Sequence, residues 1–193
     1  MKKILLTTVA ASALALGTVS SFAQGNVAFA NQTTTAITNA AGAKLVAAAG
    51  TYEFGLYVGP AGSQASALTL VATGLNGNWP ASSGLDGFFN AGNPLTLASF
   101  PAGTAIAFQV RGWEATLGNS YEAALPNAGS HLFGESALGS VTPTAPPNPA
   151  APLFGNTGGG LVPAFGMAVV PEPSTFALGA LGVGALALIR RRK

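Results

Sequence analysis

Glycine and proline cut the chain between Gln24 and Val170 into short pieces, and this punctuation limits the folds open to it. The 193 residues hold 26 glycines and 13 prolines. Glycine favours turns, and proline cannot donate to a helix or a central ladder, so long helices are disfavoured here. What lies between the breaks alternates. In residues 51–58, Tyr52, Phe54, Leu56 and Val58 share one face of an extended strand, and Gly59-Pro60-Ala61-Gly62-Ser63 stops it. Residues 104–113 repeat the pattern, with Ile106, Phe108 and Val110 facing one way. Weaker strands are expected at 26–31, 33–38, 68–73, 94–98, 135–141 and 165–170, and one helical turn at 120–124. Residues 142–152 carry five prolines and read as a loop or stiff connector. The expected fold is all-β: a single, jelly-roll-like β-sandwich over residues 24–169.

The two ends are built differently. Met1-Lys2-Lys3 is a cationic start, and residues 4–16 are apolar but too short to span a bilayer comfortably. Ser21-Phe22-Ala23 puts small residues three and one before a cut between Ala23 and Gln24. This is the pattern of a secretory signal peptide over 1–23, implying the Sec machinery and signal peptidase as partners. An uncleaved N-terminal anchor is the alternative.

At the other end, over 170–193, Pro171-Glu172-Pro173 precedes the uncharged run 174–189, and Arg190-Arg191-Arg192-Lys193 closes the chain. Sixteen uncharged residues fall just short of the ~17–20 a membrane helix needs, but long cationic stems can snorkel to the headgroups and make up the difference. Residues 176–189 are therefore expected to form a helix in the inner membrane. The terminal cations stay on the cytoplasmic side, which leaves the preceding domain outside.

The order Pro-Glu-Pro, apolar helix, Arg-rich terminus resembles the PEP-CTERM sorting signal of Gram-negative bacteria. The resemblance covers about 25 residues. It implies recognition by an exosortase, a membrane cysteine protease-transpeptidase, with a cut near Pro171-Glu172-Pro173. An ordinary anchor that is never processed is the alternative. The middle is similar, more loosely, to small PEP-CTERM proteins that share a strand ending in Gly59-Pro60-Ala61-Gly62, the segment Gln109-Val110-Arg111-Gly112-Trp113, and Ser120-Tyr121-Glu122-Ala123. That similarity carries no assigned activity.

Charge is informative once the ends are set aside. The whole chain is formally +2, but six of its eight cations lie in the two terminal signals. Between Gln24 and Val170 only Lys44 and Arg111 oppose Glu53, Asp86, Glu114, Glu122 and Glu135, a net charge of −3. Such a domain has no basic surface for nucleic acid, which takes several cations acting together. With no cysteine there is no disulfide framework and no thiolate metal site.

Catalytic patterns are weak. His131 is the only histidine, and one histidine without cysteine does not make a zinc site, so no metal or cofactor is expected. Gly134-Glu135-Ser136 starts like a nucleophile elbow, but Leu138 stands where the motif requires glycine. Glu114 and Glu122 are the nearest carboxylates for glycoside chemistry and read more simply as solvated side chains. Of the aromatic residues, Tyr52 and Trp113 fall in strands and read as core. Trp79, in the polar loop 74–87, is the better candidate for stacking on a sugar. The leading expectation is an exported, non-enzymatic surface or matrix protein. The alternatives are an exopolysaccharide-binding module using Trp79 and a secreted glycoside-processing enzyme using Glu114 or Glu122.

Overall fold

The structure, a computed structural model, describes residues 23–77, 86–156 and 160–170. It is mostly β and contains two sheets. The smaller sheet has the order β5-β1-β9, from β1 (Gln24–Ala28), β5 (Leu95–Pro101) and β9 (Ala151–Pro152). The larger has the order β2-β10-β7-β6-β3-β4, from β2 (Thr38–Asn39), β3 (Tyr52–Pro60), β4 (Thr69–Leu75), β6 (Ile106–Glu114), β7 (Leu132–Glu135) and β10 (Gly166–Val169). A further strand, β8 (Gly139–Val141), also pairs with β6.

The alternation read from the sequence decides which side chains meet. Phe54, Leu56 and Val58 of β3 and Ile106, Phe108 and Val110 of β6 share one core cluster with Val27 and Leu97 of the small sheet. Phe54 and Phe89 stack with ring centroids 4.4 Å apart, and Phe89 meets Phe29 and Phe154 edge-on. The proline-rich stretch ends in β9, an edge strand parallel to β1, where a residue without an N–H is tolerated.

The large sheet is covered on its other face as well. Tyr57, Ala107, Trp113 and Phe133 form a second cluster with Tyr121 and Ala124 of α1 (Tyr121–Ala124) and with Ala128. Ser120 caps this single turn by accepting from the Ala123 N–H (3.2 Å). The Trp113 ring can lie over the backbone of β3 because Gly55 has no Cβ. One placed there would lie 3.0 Å from the Trp113 ring and 2.8 Å from Leu70 Cδ1.

Two expected strands differ. Residues 33–38 do not form one strand: Thr33–Thr35 is a 3-10 turn and β2 begins at Thr38. Gln32 and Thr35 cap each other there, and Asn31 Nδ2 donates to Thr35 O (3.0 Å), so local side-chain bonds outweigh the β preference of threonine. Residues 135–141 are divided between β7 and β8. At the break the Ser136 hydroxyl stands in for a strand partner, accepting from the Val110 N–H (2.9 Å).

Candidate functional site

The densest polar chemistry among the described residues lies on the helix-covered face of the large sheet. Ile106, Phe108 and Val110 of β6 point to the main core, so Gln109, Arg111 and Trp113 point the other way. Arg111 is thereby carried into the second cluster, where its side chain is only 10% exposed. The guanidinium sits 4.2 Å from the Tyr57 ring centroid and 5.7 Å from that of Tyr121. Its Nε donates to Gln109 Oε1 (2.9 Å), Nη2 to Ala65 O (2.8 Å) and Nη1 to Glu122 Oε1. The Tyr57 hydroxyl donates to Glu122 Oε2 (2.7 Å) and accepts from the Tyr121 N–H (3.1 Å). Gln109 Nε2 donates to Ser136 O (2.9 Å) and to Glu135 Oε2 (3.3 Å). Among the described residues no buried side-chain nitrogen or oxygen lacks a partner.

Titration follows from this arrangement. Burial pushes the Tyr57 hydroxyl up, and its bond to Glu122 adds to the shift. Burial likewise raises Tyr121, together with the charge of Glu135. Glu122 moves down: partial burial works against its charge, but the Tyr57 hydroxyl, its own backbone N–H and Arg111 outweigh that. Above about pH 10, the ordinary tyrosine value, the folded chain keeps protons that the unfolded chain releases. Stability should therefore fall with rising pH, by about 1.4 kcal/mol per pH unit for each proton retained. On the acid side the Glu122 contribution is present above the ordinary carboxylate value and lost below it. Denaturant midpoints measured from pH 3 to 11 should be level through neutrality and fall at both ends. A profile flat beyond pH 10 would contradict the burial of these hydroxyls.

A second pair lies at the far end of β6. His131 Nδ1 is 2.6 Å from Glu114 Oε2, with the side chains 39% and 27% exposed. Glu122 is over half exposed, as expected of a solvated carboxylate, but it is also bonded to Arg111 and Tyr57, and Glu114 is more enclosed and paired with His131. Ser136 is buried and donates to Ala137 O (2.8 Å), so the partial elbow motif holds a structural hydroxyl. Among the described residues there is no group of three or more potential metal ligands. Tyr52 and Trp113 are core, and the Trp113 Nε1–H donates to Gly118 O (2.8 Å).

Ala23 and Gln24 lie at the first strand, with Ala23 O accepting from the Ala102 N–H (2.9 Å) and Gln24 opposite Pro101. Trp79, Pro171, Glu172, Pro173, Arg190, Arg191, Arg192, Lys193 and the runs 1–22 and 176–189 lie outside the described residues. Among the described residues no helix is long and apolar enough to cross a membrane.

Compared with known protein families, residues 169–193 match the PEP-CTERM protein-sorting motif. The chain carries a PEP-CTERM sorting motif. The match begins on Val169, the last residue of β10, so the PEP-CTERM segment follows directly from a paired strand. A PEP-CTERM motif implies an exosortase as processing partner and a secreted, membrane-anchored precursor. Neither the curated proteins nor the solved structures gave a significant match to the chain.

The Arg111 cluster was not read from the sequence. The signal was present: a lone arginine on the second face of a strand whose first face is wholly apolar.

Proposed function

We propose that this chain is an exported, non-catalytic protein of the cell surface or extracellular matrix. It crosses the inner membrane through the Sec machinery and loses residues 1–23 to signal peptidase. Residues 176–189 hold it in the membrane until an exosortase cuts at Pro171-Glu172-Pro173. The sorting motif at 169–193 carries this reading. The positions of the folded ends support it. Gln24 opens β1, and β10 is held between β2 and β7, so cuts after Ala23 and beyond Val170 both leave the sheets whole. A core shared by two sheets supports the β-sandwich reading. The non-catalytic reading is supported by the use of Arg111, Glu122, Tyr57 and Ser136 as bonding partners inside the fold.

Intact mass of the protein recovered separately from membranes and from extracellular matrix tests the proposal. The expected matrix species begins at Gln24 and ends between Pro171 and Pro173. A single membrane species still ending at Lys193 would overturn processing and leave a plain anchor.

A further inference from the structure

The register of the large sheet fixes which part of the domain lies beside the tail. Val169 of β10 is opposite Leu132, the first residue of β7. Gly112 of β6 is opposite Gly134, so Glu114 at the end of β6 comes level with Leu132. Glu114 is in turn opposite Tyr52, and Glu53 is opposite Leu75 at the end of β4. One end of the sheet therefore runs Val169, Leu132, Glu114, Tyr52, Leu75. The β3–β4 turn beginning at Ala61 lies at the other end.

Solvent reaches unusual side chains along this row. Leu75 is 52% exposed and Val169 47%. Val46, 50% exposed, lies on the segment between β2 and β3, which reaches the same row where the Gly50 N–H donates to Asn76 O (3.0 Å). The Glu114 carboxylate there lies 2.6 Å from His131 Nδ1.

The sequence supplies a length. Only six residues, Val170 to Thr175, separate β10 from the apolar run. At ~3.3–3.6 Å per extended residue they reach about 20 Å. The nine-residue strands β3 and β6 are about 30 Å long at ~3.3 Å per residue. The tether is thus shorter than the sheet, and the domain cannot stand inverted with its Ala61 end in the bilayer and Val169 a full strand length away.

We propose that the row from Val169 to Leu75 is a lipid-contacting face of the anchored precursor, with Leu75 and Val169 seated among the headgroups. This rests on the reading of residues 176–189 as the anchor. Because the chain has no cysteine, single-cysteine variants report cleanly. Full-length Leu75→Cys, Val169→Cys and Ala61→Cys chains would carry an environment-sensitive fluorophore. They would be reconstituted into phosphatidylcholine vesicles with nitroxide-bearing headgroups. Labels at 75 and 169 should lose fluorescence to the nitroxide while the label at 61 keeps it. If the chain floats with the vesicles but all three labels stay bright, the face does not touch lipid and the proposal fails alone. Equal quenching at all three positions would also overturn it, because the domain would then have no preferred face. Shifts at 75 and 169 only when an exosortase is co-reconstituted would assign the face to the enzyme and overturn lipid contact. A chain that does not float with vesicles would overturn the anchored reading itself.

Discussion

Phe54→Ala is expected to lower the unfolding free energy by about 3–5 kcal/mol, the range for deleting a buried phenyl ring. The ring is fully buried. It stacks on Phe89 at an interplanar angle of 18° and meets Phe165 edge-on, with centroids 6.5 Å apart. On one side its neighbour is Gly112, where even an added Cβ would come 2.9 Å from the ring. A glycine wall is backbone held in a ladder with β3 and β7, so it cannot move in to fill the space. The cavity should persist, and the loss should fall toward the upper end. Domains of this size are stable by only about 5–15 kcal/mol, so the denaturant midpoint should move far while the slope stays constant. A loss below ~1.5 kcal/mol would show that the aromatic cluster repacks, contrary to the rigidity argued from Gly112.

The second large effect is an asymmetry. Arg111→Ala should cost about 3 kcal/mol, because it removes a buried cation, three hydrogen-bonding contacts and packing on two rings. It leaves the Gln109 amide oxygen without its arginine donor and Ala65 O with only the Leu68 N–H, at 3.4 Å. Glu122→Gln should cost only about 1 kcal/mol, since that side chain is 55% exposed and water can take over much of its role. Arg111→Lys should recover little of the loss, because an ammonium can neither lie flat between Tyr57 and Tyr121 nor reach three acceptors in one plane. Equal losses for the arginine and glutamate variants in one denaturation series would mean that the ion pair alone holds the site together.

The sequence disclosed the fold unevenly, for physical reasons. Residues 51–58 and 104–113 were legible because both carry an unbroken apolar alternation, and these strands, β3 and β6, form the centre of the large sheet. The second covered face was not legible. Gln109 and Arg111 on that face look like a solvated side of a strand. Only the register beside β3 and the cover of α1 reveal them as interior. The run at 33–38 misled because β-branched residues favour strands, whereas the cap between Gln32 and Thr35 and the Asn31 amide bonds are local and favour a turn. Pairing of Glu114 with His131 joins residues 17 positions apart in sequence, and no spacing rule announces it. The sorting motif was fully legible, since it depends on the order of residue types rather than on tertiary contacts.

The position of β10 has a mechanical consequence. It lies between β2 and β7, and the sorting segment follows from its C-terminal end. Drag on a membrane-anchored precursor would be returned to the domain as a pull on that end. Ala168 and Val169 pair with β7, and Gly166 and Met167 with β2, so a pull along the strand would meet the β7 ladder first and the β2 ladder behind it. Short as it is, with four residues, β10 is thereby tied to two neighbouring strands just where the tether begins.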